Sequence, residues 1–376
     1  MSALKPRRRP RRTILLSGVC LLVALVLGPP LFIAAECAWM SPRERAAAPA
    51  EPPAVREAKR AVRRYVRDGA TTYLTLPEWF IVYNSEEYAA TLAAGRPSRF
   101  PYFRSIAEYW SYYRQVSHAA CKGYRFDAGI HLMLGVIGSS FMIENTLKGI
   151  YENTVGRSTE WLASTDTEED RYAARTAMEY GRFMNMTPWY EFPFGRKLSG
   201  LWSQTHAFGP HFLRKWERRS ALSFEYAAKA IYAWVIRQGT KTVYGNEDEW
   251  VYAWADYVPE AAFRDPRVRS VSRLGGGSHI LALGRYEIFS GIVPQLVAAG
   301  VRFNDIAGNR RILVTAIGDS ERALPDDERL HVLFAKPLAT SASRERVVID
   351  AAVDALGDLM KRLAASAATL EHIYDY

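Results

Sequence analysis

Four polar side chains lie close enough in one stretch to do chemistry together: Asp127, His131, Asn145 and Glu152. His131 with either carboxylate would make an acid-base pair, and Asn145 would orient a bound polar group. The stretch is DAGIHLMLGVIGSSFMIENTLKGIYENTVG, Asp127 to Gly156. At about 100° per residue, His131, Gly135, Gly138, Met142, Asn145 and Gly149 share one helical stripe. Three glycines inside a helix cost about 1 kcal/mol each relative to alanine, so close approach of another backbone is the expected compensation. The stripe therefore predicts a tight helix crossing with His131 in the core. The sharper alternative is a cleft for a small hydrophobic ligand, with His131 and Asn145 as its polar contacts. Glu144, Lys148 and Glu152, four residues apart, read as ion pairs on an exposed side.

Other constellations are weaker. The chain has no HExxH, CxxC, GxSxG or GxxxxGK[ST] sequence. Gly275-Gly276-Gly277 precedes an expected strand, where a dinucleotide fingerprint would follow one. His206 and His211 in HAFGPH would converge on a metal only beside Arg214 and Lys215, which repel a cation. A haem would need His118, His131 or Met142 to face one cavity, and no c-type attachment sequence exists. No cofactor and no metal is predicted, and enzymatic activity is left unassigned with the balance against it.

The element that must position the four candidates is a helix, N-capped by Asp127 and stopped by Gly156. Upstream, Lys5, Arg7, Arg8, Arg9, Arg11 and Arg12 precede Ile14 to Ala35, an uncharged run close to the roughly 20 residues a bilayer requires. Residues 1–13 are thus expected as a basic cytoplasmic tail and 14–35 as a transmembrane anchor. A cleaved signal peptide is the rival, and Arg11-Arg12 loosely matches a twin-arginine export signal. Only Arg43 and Arg45 closely follow the span, so the bulk is placed outside. The Arg- and Ala-rich composition points to a bacterium, which makes the expected location the inner membrane, single-pass, with the body in the periplasm. Leu132 to Ile143 is a second, shorter uncharged run, more typical of a buried or re-entrant segment than of a span. Cys20 lies in the first span, leaving Cys37 with Cys121 as the available disulfide, although nothing in their spacing demands it.

The net charge of +9 drops to +3 once the basic tail is set aside, so nucleic-acid binding is not expected. Residues 36–53 read as a linker and 54–257 as a mainly helical domain. That domain opens with a basic helix, solvated or lying on headgroups, and includes Tyr73 to Tyr83 as a short strand or buried loop interrupted by Pro77. Between Glu160 and Trp216, rings alternate with Arg175, Arg182, Arg196, Lys197, Arg214 and Lys215, as in a membrane-interface or protein-contact surface, or as core rings of a helical domain. Residues 258–278 read as a linker. From 279 to 376 the expected order is βαββαβ, a ferredoxin-like domain, with Arg344 to Ala365 as its second helix and Asp319 to Asp327 as its hairpin loop. The fold class is α+β. The expected partners are the lipid bilayer and a protein, and the function expected first is a membrane-anchored interaction or scaffold role. The alternative is an enzyme or binding protein for a lipid or other hydrophobic molecule, using the His131 face.

Overall fold

Twelve α-helices and eight β-strands follow one another in a computed structural model that describes residues 9–40, 51–163, 165–240, 249–319 and 326–375. The helices are α1 Arg9–Ala38, α2 Pro53–Ala61, α3 Ala70–Leu74, α4 Leu76–Ala93, α5 Tyr102–Cys121, α6 Ala128–Tyr151, α7 Arg157–Leu162, α8 Glu168–Met184, α9 Phe194–Gln204 and α10 Phe212–Thr240. The strands and the last helices are β1 Trp250–Asp256, β2 Val268–Gly275, β3 Ser278–Gly284, α11 Glu287–Ala298, β4 Arg302–Ile306, β5 Arg311–Asp319, β6 Leu330–Leu338, β7 Ser341–Ala352, α12 Leu356–Ala365 and β8 Thr369–Ile373. The start of the basic tail, most of the 36–53 linker and the expected loop at 320–325 lie outside the described residues.

The α+β class holds, but the ferredoxin-like order does not. Two four-stranded antiparallel sheets form, ordered β2-β3-β1-β4 and β6-β7-β5-β8. The strands begin at Trp250, and the segment expected as a linker carries β2. Arg344 to Ala365 splits into β7 and α12 because Val347, Val348, Ile349 and Ala351 are buried on both sheet faces. A strand covered on both faces loses its alternation and mimics a buried helix.

The two sheets are copies of one βββαβ unit. Ala253 pairs with Ile306 as Val314 pairs with Ile373, and the register slips just after Trp254 in one unit and after Thr315 in the other. A second slip falls between Ser270 and Ser272, and again between Val332 and Phe334. The helix ends match too. Gly300 and Ala367 are left-handed at φ +91° and +55°, and the next N-H in each donates back to Leu296 O or Leu363 O at 3.0 Å. Both units share one core with α11 and α12.

The N-terminal chain covers the outer face of both sheets. Ala58 of α2 and Tyr65 beyond its end pack on Ile280, and Lys59 and the Tyr65 hydroxyl both hydrogen-bond Asp305. Of the expected basic helix, Arg56 and Arg60 are exposed, as a solvated face requires, whereas Lys59 is 9% exposed and paired. Tyr73 to Tyr83 is helical, with Pro77 in the first turn of α4, where a missing N-H costs nothing. Its rings pack on the second sheet: Tyr73 donates to Asp350 at 3.0 Å, and Tyr83 meets Thr315 and Tyr374 at 3.3 and 3.1 Å.

His372 sits in this seam, 3.7 Å from the Trp79 ring, with Nδ1 2.9 Å from Ser290 Oγ and Nε2 unpartnered. Burial pushes its imidazole down to about 3. An unfolded histidine titrates near 6.5, so between these values the unfolded chain binds the extra proton. Stability is therefore complete above about pH 6.5 and falls as the pH drops, by roughly 3 kcal/mol at pH 4 from this group. His279, also lowered by burial, contributes in the same direction. His372→Phe should flatten the acid side of the unfolding-midpoint profile; an unchanged slope would refute the assignment.

Candidate functional site

The central helix keeps the predicted cap. Asp127 Oδ1 accepts from Gly129 N at 2.8 Å and Ile130 N at 3.1 Å. It does not stop at Gly156: a π-helical turn, Glu152–Gly156, carries it into α7 and on to Leu162. Every residue of the predicted stripe except Met142 is buried. A side chain at Gly135 would strike Val26 O and Pro30 of α1, one at Gly138 would strike Tyr109 and Trp110 of α5, and one at Gly149 would meet Tyr102 and Phe103. The stripe is a double helix crossing. Ser139 Oγ donates to Leu25 O at 3.0 Å across the first of its contacts.

The four candidates do not converge. His131 is 1% exposed, stacks on Phe126 at 4.1 Å and places Nδ1 2.8 Å from the Tyr113 hydroxyl. Asp127 is engaged by the cap, and Glu152 is displaced by the π-helical turn onto Arg218, at 2.8 Å. An acid-base pair centred on His131 is therefore not formed. Asn145 donates to Phe141 O at 3.0 Å and, alone of the four, lines a chamber.

That chamber, of about 80 Å³, lies between α4, α6, α8 and α10. Its charged wall is a closed ring. Lys148 reaches Glu144 at 3.0 Å and Glu225 at 2.6 Å, while Lys229 reaches the same carboxylates at 2.9 and 3.1 Å. The Tyr88 ring centroid is 5.0 Å from Lys148 and that of Tyr180 is 5.1 Å from Lys229. Burial pushes the Tyr88 hydroxyl up to about 12, so it stays protonated. Glu144 and Lys148 were expected on an exposed side; they face α10, because an i,i+4 pair on each of two helices closes a four-member ring. Side-chain exposures of 16–42% open onto the chamber and its mouth. Two lysines and two glutamates cancel, which leaves a neutral polar wall holding the two helices in register and no group poised to take a proton. Glu78, which burial pushes up to about 7, lies outside this lining.

A second network closes the bottom of the bundle. Arg214, Lys215, Arg218 and Arg219 of α10 are all 6% exposed or less. Arg214 holds Asp170 at 2.7 Å and Glu217 at 3.2 Å, Arg218 holds Glu152, and Arg219 holds Glu169 at 2.7 Å. Arg214 and Lys215 are thus core groups, not part of the expected basic and aromatic surface, while Tyr172, Phe192 and Phe194 fill the adjoining core. Exposed His206 pairs with Glu168 at 3.0 Å. Sequence reasoning missed Glu225 and Lys229, whose spacing signalled an ion pair but not its partner helix. Beyond the bundle, Cys37 and Cys121 form a disulfide, and Arg114 and His118 of α5 bind Glu36 of α1. No protein-family model, curated protein or solved structure matches this chain.

Proposed function

We propose that the chain is a membrane-anchored interaction protein, with α1 held in a bacterial inner membrane and the folded body on the periplasmic side. The observation that carries this reading is how α1 joins the body. Its apolar half next to the body packs on α6 through Leu25, Val26 and Pro30, buries Ile33 to 2%, and ends in the Cys37–Cys121 bond. A helix so integrated is a retained part of the protein, and a disulfide suits an oxidising compartment. Strand β2 ends its sheet with Arg269, Val271 and Arg273 exposed, an edge to which a partner strand can add.

A second reading, binding of a hydrophobic small molecule, draws support from the Tyr, Phe and Leu lining of the chamber. Its volume of about 80 Å³ suits a few waters and falls below the roughly 300–1,000 Å³ of drug-sized ligand sites. The deciding experiment combines cell fractionation with native mass spectrometry of gently extracted protein. The expected result is a membrane-pelleted chain, degraded by protease in spheroplasts but not in intact cells, oxidised at Cys37 and Cys121, and accompanied by another polypeptide. A soluble or thiol-reduced chain would refute the anchored reading, and a stoichiometric bound lipid would favour the second.

A further inference from the structure

Helices α6 and α10 are inside out for a protein in water. From Ala128 to Ile150 of α6 the outward positions Leu132, Val136, Ile143 and Leu147 are apolar and 40–61% exposed, while Glu144, with its side chain 42% exposed, opens onto the mouth of the chamber. From Ser220 to Val235 of α10 the outward positions Phe224, Ile231, Trp234 and Val235 are likewise apolar and 51–75% exposed. Yet the two helices are rich in charge, and the charges turn toward each other. Glu144, Lys148, Glu225 and Lys229 close their ring, and Arg214, Arg218 and Arg219 are buried in ion pairs. A helix at a water-facing surface shows the opposite arrangement. Ionisable residues that pair inward while apolar residues face outward are the rule where the surroundings are hydrocarbon.

We infer that the outer face of α6 and α10 contacts the acyl chains of the lipid bilayer. This inference rests on the anchored reading. The occupant is a membrane and not another protein chain because the face continues that of α1. Leu25 and Val26 of α1 seat on Ser139 and Gly135 of α6, and Leu27, Leu31 and Phe32 remain 39–65% exposed beside them. The Ala128–Leu162 run is also long and apolar enough to cross a bilayer. Exposed charge borders this face at Arg114 of α5, beside Phe32 near the end of α1, and at Arg157 of α7 beyond α6, and also lies at Arg104 of α5 and at Arg171, Arg175 and Glu179 of α8.

The test is spin labelling of the full chain in vesicles of phosphatidylethanolamine and phosphatidylglycerol, in a Cys20→Ser background that leaves the Cys37–Cys121 disulfide intact. Labels at Leu147→Cys and Ile231→Cys should collide more with oxygen, which concentrates in hydrocarbon, than with a water-soluble nickel chelate. Nickel-dominated collisions at both would overturn the inference, and so would labels shielded from both agents, the signature of a protein partner or a second copy. A label at Leu21→Cys separates this from the anchor: lipid-exposed Leu21 with water-exposed Leu147 and Ile231 sinks the inference and leaves the anchor standing. Water at all three sites sinks both. Independently of any cysteine, wild-type protein should lose more tryptophan emission to acyl-brominated lipid than Trp234→Phe does. Equal quenching would count against lipid contact on α10.

Discussion

Arg214→Ala is expected to remove about 3–5 kcal/mol of folding stability, among the largest single-residue losses in this chain. The guanidinium is fully buried between Asp170 at 2.7 Å and Glu217 at 3.2 Å, and it also donates to Thr159 Oγ1 at 2.9 Å. Truncation leaves Asp170 buried and facing a void without a counter-charge, whereas Glu217 keeps its pair with Arg218. The loss is the cost of that orphaned charge, not the worth of the pair, since replacing a whole buried ion pair by apolar groups is often neutral. The double variant Arg214→Ala with Asp170→Ala should therefore recover part of the loss. Denaturant unfolding in mild detergent measures both, read as a shift in midpoint at constant slope. A midpoint shift worth less than about 1 kcal/mol for the single variant would mean that water already solvates the network.

Cys121→Ser is the second large effect. The bond joins residues 84 apart, and closing a loop of that length removes roughly 4–5 kcal/mol of chain entropy from the unfolded state. The same bond fastens α1 to the end of α5, where Glu36 meets Arg114 and His118. The oxidised wild type should unfold at a clearly higher denaturant concentration than Cys121→Ser, and added reductant should bring the wild type down to the variant. A wild-type midpoint indifferent to reductant would show that the bond is not formed. The two losses should add within about 0.5 kcal/mol, because Arg214 and Cys121 have no partner in common.

Much of the helical half was legible residue by residue. The Asp127 cap and the buried stripe with its glycine crossings both follow from interactions spanning a few residues. The candidate site was not. Asp127, His131 and Glu152 share a helix, yet the cap, the Tyr113 hydroxyl and the π-helical turn give each a separate partner. Asn145 reached the chamber, whose other polar groups come from α6 itself and from α4, α5, α8 and α10.

By itself the sequence determined what each segment can tolerate: an apolar first helix behind a basic tail, a glycine-striped helix that must meet another backbone, and an α+β division of the chain. Only the tertiary structure decided which partner met each segment. Lys59 finds Asp305 across 246 residues, Glu144 finds Lys229 across a helix interface, and two βββαβ units repeat their bulges and caps with few shared residues. Propensity and periodicity act over one or two turns, whereas buried charges and covered sheet faces are settled by whatever the rest of the chain brings to them.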